Sequence, residues 1–311
     1  MSLLAGWETT SVHPGDSEEN DGASLTGAQP IPARPSRPGL LPQCANPGCH
    51  SGWFHLFRKR STPVFENGWT CSPECTGARV RAALEREIDG RIAVPDGHRH
   101  RVPLGLLMLE QGWITREQLR SALAAQRTAG NGRLGEWLIR RGAADELNVT
   151  RALGIQWSCP VLAHDSSVPP AVAGVVPRLF LDAFGVLPLR IAADKLLYLG
   201  FEESLDPVLA LAVERMTGLR VESGVIPSSV FRTFHERALH DEFPRLQLGE
   251  AVSASAAAHM MARAVERNQP AASRLVRVHD CLWLRMILPH HGIAPVEAIR
   301  DVICSIGKIA A

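Results

Sequence analysis

The sequence predicts an α+β protein of several domains: a four-cysteine zinc module, a helical tandem repeat followed by a small α/β subdomain, and an α+β C-terminal piece. Three observations support this prediction. Four cysteines form two close pairs, a glycine-containing pattern occurs twice, and the segment after it alternates between strand-like and helix-like periodicity. The 311 residues are enough for two or three domains.

The composition is that of an ordinary globular protein and gives no overall attraction to nucleic acid. Hydrophobic residues make up 45% and charged residues 21%, and the formal net charge is +1. One tyrosine and nine phenylalanines leave few platforms for base stacking, so a nucleic-acid partner is not expected. No apolar run reaches the roughly 18 residues of a membrane span, and the N-terminus lacks a basic and then apolar signal region. We therefore expect no transmembrane segment and a cytoplasmic location.

The N-terminal residues 1–43 are predicted to form a disordered arm. This segment is rich in proline, serine and glycine, as in the run Gln-Pro-Ile-Pro-Ala-Arg-Pro at 29–35. Such a composition buries too little apolar surface to offset the entropy lost on ordering.

Residues 44–90 are predicted to form a zinc module. Its cysteines are Cys44, Cys49, Cys71 and Cys75. Two strand-like runs at 53–58 and 64–65 separate the pairs, and the second pair stands where a helix begins. Four thiolates suit the closed tetrahedral site of a structural zinc ion, and seven cysteines without an export signal favour metal over disulfides. The layout resembles treble-clef zinc modules. The alternatives are four unrelated buried thiols, or a site in which His50 or His55 replaces one cysteine.

The repeated pattern predicts two successive helix pairs. The first copy is Leu104-Gly105, Gly112, Leu119, Leu123 and Gln126, and the second is Leu134-Gly135, Gly142, Val149, Leu153 and Gln156. In each copy a short helix ends near a glycine in the left-handed conformation, and a second helix follows and ends at glutamine. Thr115 and Asp145 are expected to cap the second helices, and Thr115 with Gln118 forms a capping-box pattern.

The remaining segments predict alternating elements and a small C-terminal unit. Strands are expected at 185–191, 196–201 and 220–226, and helices at 170–184, 206–217 and 228–239. In the C-terminal piece, 250–311, we expect a helix at 253–266, a half-buried hairpin at 275–288 whose turn is His279-Asp280-Cys281, and a helix at 295–306.

The duplicated pattern resembles the N-terminal domain of type II secretion and type IV pilus assembly ATPases, also called the MshEN domain. In that family the motif runs arginine, leucine, glycine, two apolar residues, glycine, and two spaced leucines ending in glutamine. The second copy matches it closely from Arg133 onward, and the first matches except at Pro103. The resemblance covers residues 102–240, with the alternating segment as the second half of the same domain.

The resemblance implies binding of cyclic di-GMP, a dianionic dinucleotide. One half of the ligand site would be lined by Arg133, Leu134, Gly135, Leu153 and Gln156, and the other half by Leu104, Gly105, Leu119, Leu123 and Gln126. In that arrangement the N–H groups that open each short helix and the arginine would face phosphate, leucines would cover the guanines, and glycine would let the ligand approach the backbone.

The departure at Pro103 removes one phosphate donor, because proline has no N–H and no charged side chain. Arg101, His100 or Arg99, just before it, are candidates to replace the missing arginine. The other explanation of the pattern is purely structural, with leucines as helical core and glutamines as helix caps.

The sequence offers no catalytic site. The motor domain of the family carries a phosphate loop, Gly-x-x-x-x-Gly-Lys-Ser/Thr, and Gly307-Lys308 does not match it. We therefore expect a non-enzymatic regulatory or adaptor protein, with a secretion or pilus ATPase or its membrane platform as partner. Two alternatives stay open: a protein-interaction scaffold without nucleotide, and a nucleic-acid-binding regulator that uses the zinc module and its basic tip at 58–60.

Overall fold

The computed structural model describes residues 43–50, 61–90, 101–162 and 172–306, except 173, 203, 205, 239, 241 and 293. Within these ranges the protein is a mixed α+β structure with three sheets. All of the predicted arm except residue 43 lies outside the described residues, as does the strand-like run at 53–58. None of the described helices is long and apolar enough to span a membrane.

The elements follow one another in four groups. The cysteine unit contains β1 Val64–Phe65, β2 Gly68–Trp69 and α1 Pro73–Asp89. The tandem unit contains α2 Leu104–Glu110, α3 Arg116–Ala129, α4 Leu134–Arg140 and α5 Glu146–Trp157. The α/β unit contains α6 Arg178–Phe184, β3 Val186–Ala192, β4 Leu196–Phe201, α7 Pro207–Thr217, β5 Arg220–Val225 and α8 Ser228–Ala238. The C-terminal unit contains β6 Arg245–Ala251, α9 Ala254–Asn268, β7 Ala272–Val278, β8 Cys281–Ile287 and β9 Ile299–Ile306.

The tandem unit forms its helices where the capping residues predict them. The Thr115 hydroxyl accepts a hydrogen bond from Gln118 N, and the Gln118 side chain accepts one from Thr115 N, which completes the capping box of α3. Asp145 caps α5 in the same position. Gly112 and Gly142 have φ values of 69° and 65°, so each short helix ends in the left-handed conformation that glycine adopts without strain.

The α/β unit has a three-stranded sheet in the order β3-β4-β5. β3 and β4 are antiparallel, whereas β4 and β5 are parallel and are connected through α7. All three strands lie within one residue of their predicted bounds. The helix predicted at 170–184 is shorter, with α6 starting at Arg178; most of residues 163–173 lie outside the described part of the chain.

The C-terminal sheet has the order β6-β9-β8-β7, with β6 parallel to β9 and the other pairs antiparallel. The helix at 253–266 and the hairpin with its turn at 279–280 are confirmed, whereas the helix predicted at 295–306 is wrong. Only a short 3-10 turn, Val296–Ala298, precedes β9. β9 is rich in branched residues and lies between two strands, so it is buried on both faces and lacks the alternation that marks a strand.

The hairpin is also more buried than predicted, because β8 is an inner strand of the sheet. Trp283 and Arg285 are fully buried, and Arg285 pairs with Asp301 at 2.7 Å. The guanidinium also donates to the carbonyl oxygens of Gly174 and Val175. A buried charge of this kind is tolerated only because its donors are satisfied.

The cysteine unit and the C-terminal unit share one hydrophobic core. Phe65, Val80 and Leu84 pack in the same cluster as Met261 of α9 and Leu284 of β8. The zinc module expected at 44–90 therefore does not stand apart from the C-terminal piece, and α1 lies beside α9 over the sheet.

Candidate metal and nucleotide sites

The four predicted thiols come together in one cluster. The sulfur atoms of Cys44, Cys49, Cys71 and Cys75 all lie within 4.8 Å of one another. Cys71 Sγ is 3.5 Å from Cys49 Sγ and 3.7 Å from Cys75 Sγ. The prediction that all four cysteines form one cluster is confirmed; His55 lies outside the described residues.

Local turns hold these thiols in place. The first pair sits on a tight turn in which Cys49 N donates to Asn46 O, and the Asn46 side chain donates to Cys75 Sγ at 3.3 Å. A Cβ at Gly68 would lie 2.3 Å from Ala45 Cβ, so glycine is needed where β2 passes under this turn. The second pair stands at the start of α1, where Ser72 caps Cys75 N.

The thiol geometry fits a tetrahedral zinc ion. Zinc–sulfur bonds of about 2.3 Å at tetrahedral angles place the sulfur atoms about 3.8 Å apart, close to the distances seen here. Burial raises the pKa of the Cys44 thiol, so protons compete with a metal for this site. Lower pH is thus expected to weaken metal binding.

Each of the two glutamines of the tandem unit donates a hydrogen bond to the loop that precedes the Leu-Gly pair of the other copy. Gln126 of the first copy donates its side-chain amide to Gly132 O at 2.9 Å, just before the second Leu-Gly pair. Gln156 of the second copy donates to Val102 O at 2.8 Å, just before the first pair. The two hydrogen bonds occupy equivalent positions in the two copies. The loops before α2 and α4 are therefore held by the same kind of contact.

The Leu-Gly pairs also pack reciprocally. A Cβ at Gly105 would lie 2.7 Å from Leu119 Cδ1 and 3.1 Å from Leu134 Cδ2. A Cβ at Gly135 would lie 2.7 Å from Val149 Cγ1 and 3.6 Å from Leu104 Cδ2. Both glycines are therefore needed for close packing between the copies, and this is a role that requires no ligand. Leu153 packs beside them, whereas Leu123 is half-buried on α3.

Arg133 lies in a network of charged side chains. It precedes α4, its side chain is 58% exposed, and it is 4.0 Å from both Glu136 and Glu202. Arg232 of α8 approaches the same two carboxylates at 4.0 and 3.6 Å. Any phosphate that binds Arg133 has to compete with these carboxylates, although exposed pairs of this kind are weak.

Pro103 and Arg101 occupy the corresponding loop of the first copy. Pro103 precedes α2 as Arg133 precedes α4. The Arg101 guanidinium stacks on Trp157, the residue after Gln156, at 3.0 Å from the ring centroid. Burial lowers the pKa of Arg101, and the group nevertheless stays charged at neutral pH. Within the described residues, each of the two loops thus carries one arginine. His100 and Arg99 lie outside the described residues.

The short helices add little to anion binding. α2 and α4 each have only seven residues, so the aligned peptide dipoles expected to attract a phosphate are few. Positive charge near the loops therefore comes from the arginine side chains.

Sequence reasoning missed the charged contacts that join the units. Glu87 of α1 is buried, and both its oxygens accept hydrogen bonds from Arg215 of α7. At the other side of the α/β unit, both oxygens of Glu146 accept from Ser229, at 2.7 and 2.6 Å. The sequence does contain one signal of the Glu87 contact. A carboxylate that follows Val80 and Leu84 on the apolar face of α1 is expected to be buried and to need a charged partner.

Within the described part of the chain, Arg86 and Cys159 do not form a second site. Arg86 of α1 is engaged by Glu66 at 2.5 Å, and the basic tip at 58–60 lies outside the described residues. Burial raises the pKa of Cys159, which leaves this thiol protonated and a weak nucleophile at neutral pH.

Comparisons with known proteins agree with the resemblance. No family model matches the chain. Over 156 residues, 48% of the chain, it is 32% identical to bacteriophage adsorption protein B of Escherichia coli K12, of which it covers 20%. Over 147 residues, 47% of the chain, it is 28% identical to the type IV pilus assembly ATPase PilB of Thermus thermophilus, of which it covers 16%. The chain thus spans a fifth or less of these curated relatives.

Solved structures with similarity to the chain include MshE with cyclic di-GMP and the N-terminal domain of XpsE. The MshE chain is 24% identical, with 44% of this chain and 99% of that chain covered and a TM-score of 0.37. The XpsE domain is 21% identical, with 43% and 92% covered and a TM-score of 0.32. The predicted resemblance is confirmed: the chain is similar to the N-terminal domains of type II secretion and type IV pilus assembly ATPases.

Proposed function

We propose that this chain is a non-enzymatic regulatory or adaptor protein of a secretion or pilus-type system, and that its tandem unit binds cyclic di-GMP. The observation that carries the proposal is the reciprocal contact between the two motif copies, in which Gln126 and Gln156 each hold the loop before the other copy's Leu-Gly pair. Two loops fixed in this way suit a ligand that itself consists of two equal halves. The partner would be a secretion or pilus ATPase or its membrane platform.

Recognition of the two phosphates would depend on Arg133 and Arg101. A hydrogen bond between charged groups contributes about 1.5–3 kcal/mol when both partners are well placed. Arg133 stands where the motif expects an arginine, and Arg101 stands on the loop where Pro103 has replaced it. Arg101 would have to leave the face of Trp157 or bind while stacked on it, so its contribution is expected to be the smaller.

Calorimetric titration with cyclic di-GMP tests this assignment. Arg133→Ala is expected to weaken binding by about 10- to 100-fold, the equivalent of one charge-assisted hydrogen bond, and Arg101→Ala by less. Arg220→Ala is the matched control, because this arginine is 81% exposed on β5 and belongs to neither motif. Equal affinities in all four proteins would contradict the assignment of Arg133 and Arg101.

We also propose that the cysteine cluster binds one structural zinc ion. All four ligands are cysteine, so the site has no open position for a substrate or a water. The ion would fix the turn at 44–49 against the start of α1, and through α1 it would support the shared core. Metal analysis of the purified chain should find one zinc per molecule, and a metal-free chain with unchanged stability would contradict the proposal.

The alternative function is a protein-interaction scaffold that has lost the nucleotide. The packing favours it in one respect, because Gly105 and Gly135 are already required by the side chains of Leu119 and Val149. The titration separates the two functions: absence of binding by the unmodified protein supports the scaffold.

A further inference from the structure

The edge strand β6 presents a surface suited to strand pairing. β6 is the first strand in the order β6-β9-β8-β7, so β9 is its only neighbour in the described sheet. Leu248 is 63% exposed and Leu246 is 37% exposed. An edge strand leaves backbone N–H and C=O groups that another strand can pair with.

The two faces of β6 differ in what covers them. Gln247 accepts a hydrogen bond from Arg267 of α9 at 2.8 Å, and a Cβ at Gly249 would lie 2.5 Å from Met260 Sδ of the same helix. The odd-numbered side of β6 is therefore occupied by α9. Leu246 and Leu248 point to the other face, on the side of the sheet that carries Ile303 and Trp283.

β6 carries exposed charges only near its ends, at Arg245 and Glu250, and between them it lacks the usual devices that prevent pairing between edges. Its seven residues contain no proline or lysine, and its register with β9 runs without a bulge from Arg245 to Ala251. Proteins normally protect such an edge with these features or with a covering segment. A long, regular edge with exposed leucines indicates a surface that is covered in the working protein.

We propose that β6 pairs antiparallel with β6 of a second copy of this chain and forms a symmetric dimer with one continuous sheet. When Gln247 lies opposite Gln247 across the two-fold axis, Leu246 of each copy lies opposite Leu248 of the other. Four leucines then form one apolar row on the exposed face, so the strand is complementary to itself. A two-fold arrangement closes on itself and leaves no further edge of β6 to recruit more copies.

Sedimentation of the unmodified full chain and of the Leu248→Lys variant, at protein concentrations up to about 100 μM, tests the dimer. The unmodified protein is expected to dimerise, and Leu248→Lys is expected to weaken the dimer by about tenfold or more, because it places two charges in the leucine row. Leu179→Lys is the control, since Leu179 is an exposed leucine on α6, at 38%. An unmodified protein that stays monomeric overturns the proposal, as does a dimer that Leu248→Lys leaves unchanged.

A cysteine at the two-fold axis tests the register independently of stability. Gln247→Cys should form an intermolecular disulfide under mild oxidation, because directly opposite residues have Cα atoms about 4.5–5.5 Å apart. Arg245→Cys should not, since this residue lies opposite Gly249 in the proposed register. The unmodified protein controls for its own cysteines. Equal cross-linking of the two variants would overturn the register and with it the leucine row.

Discussion

Replacing Glu87 by glutamine tests whether α1 is held to the α/β unit by a buried charge. The Glu87 side chain is 2% exposed, and its two oxygens accept hydrogen bonds from Arg215. One of these oxygens also accepts from Arg277 N at 3.2 Å. The variant keeps the shape and one acceptor, but it loses the negative charge and places an amide donor where a carboxylate oxygen accepts from Arg215, so the effect combines the ionic and hydrogen-bonded parts of the contact.

The expected cost of Glu87→Gln is about 2 kcal/mol of unfolding free energy. Hydrogen bonds to charged groups contribute about 1.5–3 kcal/mol, but the two bonds share one guanidinium and do not add fully. Arg215 is 37% exposed, so water partly compensates for the lost partner and the full penalty of a buried orphan charge does not apply. These two corrections bring the estimate to roughly the strength of one bond.

Urea unfolding followed by tryptophan fluorescence measures this cost. Glu85→Gln is the matched control, because it lies on the exposed side of the same helix and should change stability by less than about 0.5 kcal/mol. A double-mutant cycle with Arg215→Gln should give a coupling energy of about 1–2 kcal/mol. If Glu87→Gln unfolds at the same urea concentration as Glu85→Gln, or if the cycle shows no coupling, the reasoning is refuted.

Three other substitutions, with Gly77→Ala as a control, test the metal site, the ligand site and the packing of the repeats. Cys71→Ser, or treatment with a chelator, should remove the zinc and lower the melting temperature measured by calorimetry; a metal-free protein that melts at the original temperature would refute this. Glu202→Gln should raise the affinity for cyclic di-GMP by about two- to fivefold in a titration, because it removes a carboxylate that competes for Arg133. Gly105→Ala should destabilise the chain by about 1–3 kcal/mol in urea unfolding, since its Cβ would lie 2.7 Å from a Leu119 methyl group. Gly77→Ala on α1 meets nothing within 4 Å and should instead stabilise by about 0.5–1 kcal/mol.

The sequence could predict the parts of this structure that depend on local signals. Cysteine spacing identified all four members of the thiol cluster, and the capping residues Thr115 and Asp145 located α3 and α5. Both kinds of signal work because the interacting groups are close in the chain, so residue type and spacing almost define the geometry.

The errors fall where long-range contacts decide the structure. The segment 299–306 was expected to be helical, and it becomes β9 because two neighbouring strands bury both its faces. β6 was not predicted at all, since it is an edge strand whose leucines are exposed and in which only Ala251 is buried. In the ligand site, residue types could be named from the motif, but the exchange of hydrogen bonds between Gln126 and Gly132 and between Gln156 and Val102 depends on how the copies meet.

The α/β unit connects the two sites through ionic contacts at both its sides. Glu202 of this unit pairs with Arg133 of the tandem unit and with Arg232 of α8. On the other side, Arg215 of α7 donates hydrogen bonds to Glu87 of α1, the helix that begins at the thiol cluster. If a phosphate binds Arg133, it competes with carboxylates that also engage Arg232, so this exposed network would rearrange. The contact between Glu87 and Arg215 is less exposed than this network and shares no residue with it, so it would stay intact. On this reasoning, any rearrangement would stay within the exposed network, because Trp157 of α5 packs against the core of the α/β unit and Ser229 of α8 donates two hydrogen bonds to Glu146.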